Sequence, residues 1–181
     1  MDLSVSMLKG RGMRIFIYWL VVILVVVIDQ ATKAAAIEIL EDGPKTFVAG
    51  LIDFIHVENT GAAFSIGEGG NVFFILVAIV FIATSTYFVW KEEDLPYSIA
   101  VSVGAVAGGG LGNMIDRIMN GSVTDFIALR FIDFPIFNVA DMFVTCGIVF
   151  TVVAYWRWEA NREREEDRFL DAFSNDGSDN A

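Results

Sequence analysis

The sequence predicts an all-α membrane protein, four transmembrane helices carrying a small extracytoplasmic β-sheet. Three observations predict it. Apolar residues make up 55% of the 181-residue chain, more than a globular domain usually carries. They are gathered into four blocks, each long enough to cross a ~30 Å hydrocarbon core, which takes roughly 20 helical residues. The segment between the first two blocks holds short runs of Val, Ile and Phe bounded by turn residues, which reads as strands.

The blocks lie at residues 15–36, 72–90, 97–115 and 137–156. The first is interrupted by Asp29, Gln30 and Lys33, the second and third hold no charge, and the fourth holds only Asp141. Of the twelve Lys and Arg residues, eight flank one side of these blocks and four the other. Cytoplasmic flanks carry the excess, so both termini are expected in the cytoplasm, with segments 37–71 and 116–136 outside. The basic N-terminus followed by an apolar run and Ala34-Ala35-Ala36 also imitates a cleavable secretory signal. Asp29 and Lys33 break that run before the alanines, and cleavage would undo the four-span arrangement, so the segment is expected to stay.

The membrane domain is therefore placed at residues 1–158. Residues 159–181 form a cytoplasmic tail with eight acids and three arginines. It is expected to start as a short helical extension and fray into disorder. The net charge of −11 argues against a nucleic-acid partner. A single cysteine and a single histidine exclude an internal disulfide and leave no familiar zinc ligand set. Neither a metal nor a cofactor is expected.

In the first outer segment, Thr46 to Val48 and Leu51 to Glu58 read as strands, with turns at Gly43-Pro44 and Ala49-Gly50. The second, from Phe126 to Phe137, is apolar without a clear period and suggests an interfacial or re-entrant stretch. Gly104, Gly108 and Gly112 recur every four residues, a close-packing signal for helices in lipid. Cys146 and Thr145 read as core residues of the fourth span.

Ionisable groups inside a span are costly, so they mark candidate sites. Asp29 and Lys33 are four apart and able to pair on one helix face. Asn113 and Arg117 share a face at the outward end of the third span, placed to hold backbone carbonyls. Asp141 follows Asn138 by three residues at the start of the fourth span, and Asp125 sits in the outward segment. The topology brings all of these to one depth, at the outer leaflet.

Five short runs carry a resemblance: Asp29-Gln30-Ala31-Thr32-Lys33, Asn59-Thr60-Gly61-Ala62-Ala63-Phe64, Gly112-Asn113-Met114-Ile115-Asp116-Arg117, Val123-Thr124-Asp125-Phe126 and Phe137-Asn138-Val139-Ala140-Asp141. Each is weak alone. In this order, on four spans, they make the chain resemble the lipoprotein signal peptidases, or signal peptidase II, across about residues 14 to 157. The resemblance implies an aspartic endopeptidase of the bacterial inner membrane. Its substrates would be diacylglyceryl-modified prolipoproteins, cut just before the lipidated cysteine. It implies that Asp125 and Asp141 are the catalytic pair. It also implies that Asp29, Lys33, Asn59, Gly61, Asn113, Arg117 and Asn138 shape the site or hold substrate. Membrane lipid is the remaining expected partner, and the protein is expected to be a monomer.

The chemistry suits two acids. Peptide hydrolysis needs a base to activate water and an acid to protonate the leaving amine, and two carboxylates sharing one proton supply both. The start of a helix suits a negative charge at Asp141, which leaves Asp125 as the carboxyl expected to hold the proton. Arg117 or Asn113 would stabilise oxyanion charge or fix the scissile strand. Two rival readings fit less well. A Ser/Lys peptidase needs a serine on the face of Lys33, and none is there. A proton-coupled transporter would place its acids near the midplane and show related halves, and neither is evident.

Overall fold

The computed structural model describes residues 3–61 and 70–178. Its elements in chain order are α1 (Leu3–Ile39), β1 (Lys45–Val48), β2 (Ile52–Asn59), α2 (Asn71–Lys91), α3 (Tyr97–Asn120), β3 (Val123–Leu129) and α4 (Val139–Ser178). All four helices are long and apolar enough to cross a membrane. Their large side chains point outward in bulk, Phe16, Ile23, Val80 and Phe150 among them, as lipid in place of water allows.

α3 is the axis of the bundle. In its most apolar stretch 56% of residues are buried, against 11% for α2. The glycine run makes this burial possible. A Cβ on Gly104 would stand 2.9 Å from the Tyr18 carbonyl of α1, and one on Gly108 would stand 2.7 Å from Val25 Cβ. On another face, a Cβ on Gly109 would meet the Ala140 carbonyl of α4 at 2.5 Å. The backbones therefore approach where only hydrogen fits. Tyr18, Val22, Val89, Ile99 and Val103 fill the core that α1, α2 and α3 share. The Tyr18 hydroxyl meets Ser85 Oγ at 2.8 Å, so the buried phenol has a polar partner.

The three strands form one antiparallel sheet in the order β1-β2-β3. β3 was not expected. The stretch read as interfacial or re-entrant instead starts as a strand, paired with β2 from Asn59↔Val123 to Ile52↔Leu129. Most of β3 is buried on both faces, so it lacks the alternation that exposes a half-buried strand in a sequence. Phe126, with Phe54 and Ile127 beside it, packs on Ala36 and Leu40 and docks the sheet on the end of α1.

After β3 the chain turns back on itself. The Phe126 and Ile127 amides both donate to the Phe137 carbonyl, and the Phe137 amide donates to Ile127 O. This return lays Asn138 and the first turn of α4 beside Asp125.

α4 continues as one helix to Ser178, well past the short extension expected. At 1.5 Å per residue its 40 residues are about 60 Å long, twice the hydrocarbon core. The extension is rich in Glu and Arg, good helix formers. Glu159 and Arg162 pair one turn apart, and the Arg162 guanidinium stacks over Trp158. Cys146 and Thr145 also differ from expectation. Both are exposed rather than core, because they face a cavity beside α4 instead of a packed neighbour.

Candidate active site

The expected site residues converge where the sheet meets the bundle. Asp125 comes from β3, Asp141 from the first turn of α4, Asn59 from the end of β2, and Asn113 and Arg117 from the last turns of α3. With Gly61 they line one cavity of about 530 Å³, whose remaining wall is mostly apolar and includes Phe134, Ile136 and Met142. Of the expected set, Asp29, Lys33 and Asn138 stand behind this lining and support it. Ala62 to Phe64, the rest of one matching run, lie outside the described residues.

Each of the two carboxylates is held by asparagine amides. Asp125 accepts from Asn138 Nδ2 at 2.7 Å and from Asn59 Nδ2 at 2.9 Å. Asp141 accepts from Asn113 Nδ2 at 2.8 Å. Asn138 and Asp141 also cap each other. The Asn138 backbone amide donates to Asp141 Oδ2 at 3.1 Å, and the Asp141 amide returns a bond to Asn138 Oδ1 at 3.0 Å. That exchange serves two of the amides a helix start leaves without partners. Asn138 thus touches both acids and is itself completely buried.

Behind them lies a charged cluster. Lys33 Nζ, nearly inaccessible, donates to Asp29 Oδ2 at 2.8 Å and Asn113 Oδ1 at 2.7 Å, and meets Asp116 Oδ2 at 2.8 Å. These three acceptors use all three donors of an ammonium group. Asp29 Oδ1 accepts from the Ala140 amide of α4. Gly112 leaves room for this carboxylate, since a Cβ there would collide with it. The Asp29–Lys33 pair is therefore the structural pair the spacing suggests, but with a third member.

Asp116 was missed, and so was Gln30, whose Nε2 donates to Asp116 Oδ1 at 2.8 Å. Both stand inside the matching runs. One signal was available: Asp116 follows Asn113 by one turn, which puts an acid on the helix face already singled out. Arg117 behaves as its position suggests. Nη2 donates to Gly61 O at 2.9 Å and Nη1 to Asn113 O at 3.3 Å, and the guanidinium lies over the Phe74 ring. It ties the end of β2 to α3.

Neither Asp125 nor Asp141 has an ion-pair partner among the described residues; Lys33 is committed to Asp29 and Asp116. Burial, the largest effect, pushes the Asp125 carboxyl up from 3.8 to about 6; bonds from Asn59 and Asn138 oppose this, and the charge of Asp141 adds to it.

This arrangement can be set against known proteins. Residues 21–157 match the family model described as signal peptidase (SPase) II. The chain belongs to the signal peptidase II family. The "Lipoprotein signal peptidase" of Caldicellulosiruptor bescii is 39% identical over 133 residues, covering 74% of this chain and 86% of that protein. Its namesake from Streptococcus agalactiae is 35% identical over 150 residues, covering 82% and 97%. A solved structure described as a bacterial membrane enzyme superposes with a TM-score of 0.70 at 31% identity, covering 80% of this chain and 90% of that one. Family membership and four candidate spans make this chain a multi-pass membrane protein and a peptidase of lipoprotein processing. The acidic extension lies beyond the matched residues.

Proposed function

We propose that this protein is an aspartic endopeptidase that removes the signal peptide from diacylglyceryl-modified prolipoproteins, cutting just before the lipidated cysteine. The observation that carries it is the pair Asp125 and Asp141 in one cavity, both held by asparagine amides and neither in an ion pair among the described residues.

In this reading Asp125 carries the shared proton at rest and Asp141 is the base. Asp141 takes a proton from water as the water oxygen attacks the scissile carbonyl carbon, and Asp125 gives its proton to the carbonyl oxygen. Collapse of the resulting gem-diol breaks the C–N bond. The proton on Asp141 goes to the leaving amine, and the gem-diol returns one to Asp125. Asn113 and Arg117 are already bonded within the protein, so they are assigned to positioning. Arg117 holds Gly61, and Asn113 holds Asp141. The apolar wall beside Phe134 and Met142 suits the acyl chains of the substrate. Anchoring those chains would fix the peptide bond at the depth of the acids before the chemical step.

The Lys and Arg distribution supports both termini in the cytoplasm and the site at the outer face of the inner membrane. Monomeric protein suffices, since one chain contributes every residue invoked.

The test is cleavage of a diacylated prolipoprotein by purified protein. Asp125→Asn and Asp141→Asn are each expected to lower the rate by at least about a thousandfold, the scale of lost acid–base catalysis, with insertion and unfolding midpoint retained. Near-normal turnover by either variant would remove the dyad.

A further inference from the structure

A second groove runs between α3 and α4 toward the far end of the bundle from Asp125 and Asp141. It measures about 710 Å³ and is lined by Ala105, Phe143 and Phe150 within the membrane, with Arg157, Trp158 and Asn161 at its far end. It meets the first cavity at Cys146, and none of the residues assigned to catalysis lines it.

On α4 its lining positions include 143, 147, 150, 154, 157 and 161. Steps of four and three keep them on one helix face. Carried on, that face brings up Arg164, Glu165 and Arg168, while Glu159, Glu163, Glu166 and Asp167 turn to other sides. An extension that is acidic in sum therefore sets Arg157, Arg164 and Arg168 along the line of the apolar groove, with Glu165 the acid among them. Among the described residues, Arg157, Arg164 and Arg168 make no ion pair. The ion pair of the extension joins Arg162 to Glu159, off that line.

An apolar slot at membrane depth that opens onto unpaired arginines complements a molecule with an acyl chain and an anionic head. We infer that this groove binds an anionic phospholipid of the leaflet opposite the active site. One acyl chain lies between α3 and α4, and the phosphate is held by Arg157 and Arg164. Guanidinium groups present paired N–H donors that match phosphate oxygens, and Trp158 stands at the level where indoles meet headgroups. A signal helix fits less well here, because its basic end would arrive against like charge.

The experiment uses full-length protein in which Trp19, Trp90 and Trp156 are replaced by Phe, leaving Trp158 as reporter. It is titrated in mixed micelles with brominated phosphatidylglycerol or brominated phosphatidylcholine. Quenching by phosphatidylglycerol is expected at about tenfold lower mole fraction, the scale of one to two juxtamembrane charges. Arg157→Gln with Arg164→Gln should bring the two lipids within about twofold, and Arg162→Gln should not. Ala105→Phe, which fills the slot and spares the arginines, should also reduce the preference. Unfolding midpoints identify variants that fail to fold, and the Arg162 comparison is read on folded protein. Equal quenching by both lipids in the parent would overturn the assignment, as would a preference untouched by the paired arginine substitutions. Displacement by millimolar inorganic phosphate would reassign these arginines to free anions. Displacement by a synthetic signal-peptide helix would give the groove to the peptide. Either displacement overturns the lipid assignment, and no outcome depends on proteolysis.

Discussion

The side-chain amide of Asn113 turns its donor toward Asp141 because its oxygen is already taken. Lys33 and Asn138 both donate to Asn113 Oδ1, leaving only Nδ2 to face the acid. Lys33 therefore acts at the site through one intermediary, without lining the cavity. Lys33→Met should leave the Asp29 and Asp116 carboxylates buried without a counter-charge, a change worth about 3–5 kcal/mol. Denaturant unfolding in micelles measures that loss, and a loss below about 1 kcal/mol would show the cluster to be well hydrated. Asp125 makes a second case. Its carboxyl is raised to about 6 in the folded protein from an ordinary 3.8. The folded state thus binds this proton more tightly, so the associated stability is complete below about pH 4 and lost as pH rises through 6. Against Asp125→Asn, which stays neutral, wild-type protein should lose about 2–3 kcal/mol between pH 4 and pH 7. A pH-independent difference between the two would put Asp125 in a wetter place than its burial indicates.

At the scale of elements, the glycines of α3 separate by the neighbour each one meets. Gly108 stands against Val22 and Val25 of α1, whereas nothing lies within 4 Å of a Cβ on Gly110. Gly108→Ala should destabilise the bundle by about 1–3 kcal/mol through overpacking, and Gly110→Ala should be neutral or slightly stabilising. Unfolding midpoints of the two variants in one detergent decide it, and equal effects would refute a close approach at Gly108. The repeat was legible in the sequence because small residues every fourth position share a helix face. Which partner helix they meet was not legible, since three others were available. β3 stayed hidden for a related reason. A strand buried on both faces carries no two-residue alternation, so its length of seven residues alone does not separate it from an interfacial run.

For the whole molecule, the proposed topology can be read from one exposed residue. In a Cys146→Ala background, Asn120→Cys at the exposed end of α3 should react with a membrane-impermeant maleimide in intact spheroplasts. A cysteine at Arg164 should react only after lysis. The reverse pattern would invert the protein and put the proposed active site on the cytoplasmic side. The background substitution is needed because Cys146 is exposed. The sequence had suggested a core position for it, since an apolar span does not tell a lipid-facing groove from a packed interface when both are apolar.

By itself, the sequence determined the number of candidate spans and singled out the acids that the fold brings together. Hydrocarbon thickness sets the length of an apolar run, and the cost of charge in lipid makes Asp29, Lys33 and Asp141 conspicuous wherever they stand. The five ordered runs carried the family, and with it the expectation that Asp125 and Asp141 are the working acids. Tertiary structure alone decided how those acids are held. The return of Phe137 onto Ile127 delivers Asn138 to Asp125, and the bond from Lys33 to Asn113 turns an amide toward Asp141. Both join residues far apart in the chain, or depend on which of two atoms an amide presents. Neither spacing nor hydropathy records such choices, because they follow from the donors and acceptors that packing leaves within reach.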